Sequence, residues 1–128
     1  MLKPLYIEPT EKTPNVVFDP NNNVFSISGT SIPENSVGFY KPLSDWLSEY
    51  SLNPNPRTNL NIKIEYCNTS SSKCILELMR HVEEIYKKGN DVLITWHYED
   101  EDSAETGFDC EALIDCPFNF VDYETKRR

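Results

Sequence analysis

Residues 60–98, LNIKIEYCNTSSSKCILELMRHVEEIYKKGNDVLITWHY, decide the fold because their hydrophobic period changes twice. Apolar and polar residues first alternate, which predicts a strand with one buried face and one wet face. The residues expected on the buried face are Leu60, Ile62, Ile64 and Tyr66. The stretch ends in a second strand-like run, residues 91–98. A helix between two such strands predicts a right-handed crossover that leaves the strands parallel.

The middle of this stretch predicts an amphipathic helix, since its apolar residues recur at helical spacing. The apolar stripe consists of Ile75, Leu78, Met79, Val82, Ile85 and Tyr86. Gly89 should end the helix, because glycine tolerates the backbone angles of a helix C-terminus. Glu83 with Lys87, and Glu84 with Lys88, are spaced for ion pairs on the outer face.

The flanking segments predict further strands and helices around this unit. They are a strand at 5–8, a hairpin over 15–28, a helix over 37–50 that Pro42 should kink or restart, an acidic loop at 99–107, a short helix over 108–116 and a last strand at 117–123. The sum is a single α/β domain over residues 1–128, with helices packed on one face of a mixed sheet.

Composition argues against several classes of partner. The chain has 128 residues with 12 basic and 21 acidic side chains, a net charge of −9. Such a chain repels nucleic acid and anionic membranes, so neither is an expected partner. No apolar run approaches the roughly 20 residues of a membrane span, and the first residues lack the apolar core of a signal peptide. The expected location is the cytoplasm.

The cysteines indicate neither a metal site nor a disulfide framework. Cys67, Cys74, Cys110 and Cys116 form no C-x-x-C pair, and the histidines His81 and His97 lie far apart in sequence. Four free thiols are therefore expected. The acidic run at 99–102 does not match the ligand spacing of an EF-hand, and there is no glycine-rich phosphate loop. No cofactor is predicted.

Residues near the predicted strand ends leave two functions open. Cys67 and His97 could end adjacent parallel strands, which would suit a nucleophile and its base in a small enzyme. A ligand-binding sensor with an internal pocket lined by Trp96 and Tyr98 is the other alternative.

The run Thr69-Ser70-Ser71-Ser72 between the strand and the helix has two compatible interpretations. Asn68 or Thr69 is a natural helix N-cap, which stabilises a helix by about 1 kcal/mol. An exposed hydroxyl there would also suit phosphorylation, because free backbone N–H groups at a helix start favour an added phosphate. Lys73 could approach the same phosphate.

Three motifs carry a family resemblance. "SIPENS" (residues 31–36), "YCNTSSSK" (residues 66–73) and "TWHYEDED" (residues 95–102), in this order and spacing, resemble the SiaC family of bacterial regulatory phosphoproteins. The resemblance runs from about Leu5 to Tyr123. It implies a STAS-like fold, as in the anti-sigma-factor antagonists, although the D-x-S-G-type phosphoserine motif of those antagonists is absent here.

The resemblance implies a partner-switching protein and not an enzyme. In this family a dedicated kinase phosphorylates a threonine of the "NTSS" motif, which corresponds to Thr69, and a PP2C-type phosphatase removes the phosphate. The unmodified form binds an effector such as a diguanylate cyclase. We expect Thr69 at a strand–helix junction, with its hydroxyl open to solvent. The residues expected to shape the partner surface around it are Tyr66, Asn68, Ser70, Ser71, Lys73, Pro33, Glu34 and Asn35.

Overall fold

A computed structural model describes residues 2–122, which form one six-stranded sheet with three helices. The elements are β1 (Leu5–Ile7), β2 (Asn15–Asp19), β3 (Val24–Ser31), α1 (Ser36–Tyr50), β4 (Arg57–Cys67), α2 (Thr69–Lys87), β5 (Asp91–Tyr98), α3 (Glu101–Leu113) and β6 (Phe118–Asp122). Spatial order in the sheet equals sequence order. Strands β1 to β3 pair antiparallel, and β3 to β6 pair parallel across one helix each. The predicted mixed sheet and hairpin are confirmed.

The three helices cover one face of the sheet. Leu60 pairs with Ile94 and Ile62 with Trp96 across β4 and β5, and all four side chains are buried. Five residues of the apolar stripe of α2 pack into the same core, and α1 adds Trp46 to it. The sixth, Tyr86, is 40% exposed, which corrects its predicted place in the stripe. The outer face is polar, and there the Thr95 hydroxyl donates to the Asn59 side chain at 3.1 Å. This is the one-sided sheet that the alternation in β4 predicts.

The ends of the helices follow from local chemistry. Helix α2 ends at Lys87, and Gly89 adopts a positive φ of 103°, as predicted for a C-terminal glycine. Helix α1 continues through Pro42 as one segment, so of the two predicted effects of this proline, a kink or a restart, the restart is wrong. In the part of the chain that is described, no helix is long and apolar enough to cross a membrane.

The predicted acidic loop at 99–107 is wrong, because most of it is the first half of α3. The Asp100 carboxylate accepts the Ser103 N–H at 2.8 Å and so caps the helix. Glu101 and Asp102 occupy the first turn, where the helix dipole favours negative charge. The acidic residues therefore start a helix.

Tyr66 does not lie on the buried face of β4, contrary to the prediction. Ile64 pairs with Gly29 but Tyr66 pairs with Thr30, so Glu65 is an extra residue in a β-bulge. A bulge reverses the alternation beyond it. Ile64 is consequently buried, whereas 72% of Tyr66 is exposed.

Glu83 is buried, contrary to its predicted place on the outer face of α2. Its carboxylate accepts the backbone N–H of Asp115 at 2.6 Å. Lys87 and Arg80 approach the same carboxylate at 3.8 and 3.9 Å. Glu83 thus ties α2 to the segment that leads into β6.

Cys67 and His97, the pair that the alternative of a small enzyme requires, lie apart. Cys67 packs against the core on the helix side, whereas the His97 ring lies 3.1 Å from the side-chain oxygen of Asn61 on the outer face. Cys67 is six residues beyond Asn61 along β4, a span of about 20 Å. The geometry therefore contradicts a nucleophile–base dyad.

The four cysteines are free, and burial raises the pKa of each thiol. The pKa of Cys67 rises to about 12, and those of Cys110 and Cys116 to about 11. A raised pKa keeps the thiol protonated at neutral pH, where it is a poor nucleophile.

Gly107 lets α3 approach the sheet, and we expect Gly107→Ala to destabilise the protein. A Cβ atom there would lie 2.7 Å from the Trp96 ring and 2.8 Å from the Phe120 ring. Such overpacking costs about 1–3 kcal/mol, against a gain in helix propensity of about 1 kcal/mol. Urea denaturation measures the difference, with Glu105→Ala on the exposed side of α3 as control. A midpoint for Gly107→Ala at or above that of the wild type would contradict the close contact.

We expect Cys67 in the folded protein to react with iodoacetamide at pH 8 at least about a hundredfold more slowly than in urea, because little of it is thiolate. Since its folded pKa lies above the ordinary value, the rate should climb with pH well beyond pH 9. Site-resolved mass spectrometry follows each cysteine separately. Equal rates in folded and unfolded protein would show that Cys67 is an activated thiol.

Candidate functional site

The first and second motifs meet where β3 and β4 end. The backbone N–H of Asn68 donates to the Ser31 carbonyl at 3.1 Å, which extends the pairing of the two strands. The Asn68 side-chain amide donates to the Pro33 carbonyl at 3.4 Å. Helices α1 and α2 both begin at this edge of the sheet, so their N-termini lie side by side. We call residues 31–36 and 66–73 the junction.

Thr69 is the first residue of α2. Asn68 is the N-cap, and its side-chain oxygen accepts the Ser71 N–H at 2.8 Å. Thr69 is exposed, and within residues 2–122 its hydroxyl makes no hydrogen bond. The predicted position of Thr69, at a strand–helix junction and open to solvent, is confirmed. Its phosphorylation stays a prediction.

The other three hydroxyls of the run are engaged. Ser70 Oγ lies 2.7 Å from Ser36 Oγ and donates to the Asn68 side-chain oxygen at 3.2 Å. Ser71 is fully buried and lies 2.8 Å from Ser31 Oγ. Ser72 Oγ donates to the Thr69 carbonyl at 2.8 Å. Ser71 therefore cannot touch a partner directly, which corrects its place in the expected contact surface.

The buried hydroxyls form a neutral network beneath the junction. Ser31 Oγ lies 2.6 Å from the Tyr40 hydroxyl, and Ser36 Oγ lies 3.3 Å from Ser71 Oγ. Burial raises the pKa of Tyr40 well above its usual value, so this phenol keeps its proton. The network joins the end of β3, the first turns of α1 and the first turn of α2.

The surface around Thr69 is partly apolar. Exposed fractions are 72% for Tyr66, 70% for Val37 and 41% for Ile32. The sequence alone predicted neither Ile32 nor Val37 as part of this surface. The available signal was that both lie in or next to the polar motif "SIPENS", where α1 begins.

The remaining residues of the expected partner surface differ in their exposure to solvent. Glu34, Asn35 and Lys73 are exposed, whereas Pro33 is buried and cannot present its ring to a partner. The Asn35 side chain accepts the Gly38 N–H at 3.1 Å and caps α1. Lys12 approaches Glu34 at 3.8 Å in an exposed ion pair, which contributes little to stability.

An open cleft of about 230 Å³ lies next to Tyr66, between the ends of β4 and β5 and the start of α3. Trp96 lies in its wall and donates its indole N–H to the Ser103 carbonyl at 2.9 Å. Tyr98 does not line this cleft. This cleft therefore does not support the alternative of a sensor with an internal pocket lined by both Trp96 and Tyr98. Among the described residues, no three metal-ligating side chains lie together in a group that could hold a metal ion.

The chain is similar to known proteins over nearly all of its length. A family profile described as "SiaC family regulatory phosphoprotein" matches residues 7–123. An uncharacterised protein of Pseudomonas aeruginosa strain UCBPP-PA14 is 29% identical over 117 residues, 91% of this chain and 93% of the relative.

Solved structures agree with this match. The crystal structure of apo-SiaC from Pseudomonas aeruginosa superposes with a TM-score of 0.85 at 28% identity, over 93% of this chain and 98% of that one. A second match, also with a TM-score of 0.85 and 28% identity, covers 92% of this chain and 98% of the other. It comes from a complex of the Pseudomonas aeruginosa diguanylate cyclase SiaD with its activator SiaC. The chain belongs to the SiaC family of regulatory phosphoproteins.

Proposed function

We propose that this protein is a non-catalytic cytoplasmic adaptor whose partner binding is switched by phosphorylation of Thr69. The observation that carries the proposal is the Thr69 hydroxyl, exposed and without a hydrogen bond within residues 2–122. A dedicated kinase adds the phosphate and a PP2C-type phosphatase removes it. Membership of a family of regulatory phosphoproteins supports this assignment.

The start of α2 is suited to a phosphate. Phosphorylation adds about −1.5 to −2 charges at neutral pH, and a helix N-terminus favours negative charge. The Ser71 N–H is occupied by the Asn68 cap, which leaves the N–H groups of Thr69 and Ser70 to face an added group. Lys73 is exposed one turn further along the same helix. The modified protein should therefore keep its fold.

The effector of the unphosphorylated form is a diguanylate cyclase. SiaC of Pseudomonas aeruginosa is the activator of such a cyclase, and its fold and length match this chain. The contact surface around Thr69 is centred on Tyr66, because tyrosine is enriched among the few residues that supply most of the affinity at interfaces. Val37 and Ile32 extend its apolar area. The buried residues Pro33 and Ser71, with the cap Asn68, support this surface from beneath.

Phosphorylation should weaken the complex at the interface and not through the fold. A dianionic group in the middle of an apolar surface has to lose its hydration when the cyclase docks. That loss is costly unless the partner supplies a matching cation. The separation of Cys67 from His97 supports a binding role over catalysis.

We expect phosphorylation of Thr69 to weaken binding to the cyclase at least about tenfold, a change of about 1.4 kcal/mol. Thr69→Ala should bind in the presence of kinase and ATP as the unmodified protein does. Isothermal titration of each form measures affinity, and a melting curve of each form is the control for the fold. Equal affinities would refute the switch, and a large fall in melting temperature on phosphorylation would place its action in the fold.

We expect Tyr66→Ala to weaken cyclase binding by about 1–3 kcal/mol without lowering the melting temperature, since most of the ring is exposed. Leu52→Ala is the matched control, because Leu52 is 78% exposed just beyond the other end of α1. Surface plasmon resonance on both variants compares their affinities. Equal losses for the two variants, or none for Tyr66→Ala, would place the cyclase elsewhere.

A further inference from the structure

We propose that Ser36 in α1 is a specificity-determining residue: its hydrogen bond to Ser70 withholds that hydroxyl from the kinase and leaves Thr69 as the acceptor. The inference rests on the proposed function and explains why a run of four hydroxyls yields a single phosphorylation site. It assigns a role in acceptor choice to a residue 33 positions before Thr69 in the chain.

The four hydroxyls differ in what a kinase would have to disrupt. Ser71 is fully buried and out of reach. Ser72 donates its proton to the Thr69 carbonyl within the same helix. Ser70 is exposed as a residue, and only its hydrogen bonds to Ser36 and Asn68 distinguish it from Thr69. Ser70 is therefore the natural competitor for the phosphate.

The chemistry of phosphoryl transfer explains why the Ser36–Ser70 hydrogen bond affects the reactivity of Ser70. The acceptor oxygen forms a bond to the γ-phosphorus of ATP, the bond from that phosphorus to the β–γ bridging oxygen breaks, ADP leaves, and a base of the kinase takes the hydroxyl proton. The oxygen must turn a lone pair toward the phosphorus, and its proton must reach the base. Ser70 Oγ, at 2.7 Å from Ser36 Oγ, has to leave this partner first.

Ser36 is well placed to hold this bond. Only 4% of the residue is exposed, and its Oγ also lies 3.3 Å from Ser71 Oγ. Asn35 caps α1 directly before Ser36, and Asn68 caps α2 directly before Thr69. Both residues of the Ser36–Ser70 hydrogen bond therefore lie in capped first turns. A partner anchored on both sides rotates less freely than an exposed hydroxyl does.

The experiment compares the wild type, Thr69→Ala, Ser36→Ala and the double variant, each incubated with the cognate kinase and ATP. Tandem mass spectrometry maps the phosphate and gives the rate at each hydroxyl. We expect the wild type to be modified at Thr69 and Thr69→Ala to be nearly inert. The double variant should accept phosphate at Ser70 about fivefold faster than Thr69→Ala, the factor for one hydrogen bond of about 1 kcal/mol.

Ser51→Ala in the Thr69→Ala background is the matched control. The Ser51 hydroxyl also donates a hydrogen bond, to the Ser48 carbonyl at 2.7 Å, but it lies at the far end of α1. Its removal should therefore not raise the phosphorylation rate of Ser70. Circular dichroism and melting curves verify folding. If Ser36→Ala does not fold, Ser36→Cys, whose larger thiol forms a weaker hydrogen bond than the hydroxyl, serves in its place.

The outcomes separate this inference from the proposed function. If the wild type is phosphorylated on Thr69 and removal of the Ser36 hydroxyl does not raise the phosphorylation rate of Ser70, the role of Ser36 is overturned. The proposed switch is then intact. Equal Ser70 modification in Thr69→Ala and in the double variant overturns the role of Ser36 as well. No phosphate on any of the four hydroxyls, while the kinase consumes ATP, overturns both.

Discussion

Asn68 connects three parts of the fold through three hydrogen bonds. Its backbone N–H donates to the end of β3, its side-chain amide to the Pro33 carbonyl, and its side-chain oxygen accepts from the first turn of α2. Its position fixes where α2 leaves the sheet relative to α1. The hydroxyl network, the exposure of Thr69 and the apolar surface around it all depend on that placement.

The sequence predicted most of the fold because its strongest signals are local. The apolar stripe of α2, the glycine beyond its end and the alternation in β4 each arise within a few residues, and the structure follows them. Asp100 could have been recognised as the N-cap of α3, because Glu101 and Asp102 follow it as an acidic first turn. A run of acidic residues is equally typical of a solvated loop, however. The bulge at Glu65 arises from pairing with Gly29 and Thr30, far away in sequence.

The candidate site was predictable in its centre and not in its surroundings. Thr69 could be located because a strand pattern gives way to a helix pattern beside it. The bonds from Ser36 to Ser70 and from Ser31 to Ser71 join residues 34 and 40 positions apart, and nothing in either segment alone predicts them. The same reason applies to Glu83, whose burial follows from a contact with Asp115, 32 residues later.

The identity of spatial and sequence order in the sheet has a consequence for synthesis on the ribosome. Each new strand pairs with the strand made just before it, so the sheet can grow at one edge as the chain emerges. The side-chain hydrogen bonds that join the two segments of the junction lie within residues 31–71, so these residues are translated before β5, α3 and β6. The residues of the junction are thus made before β5, α3 and β6, which complete the core beneath them.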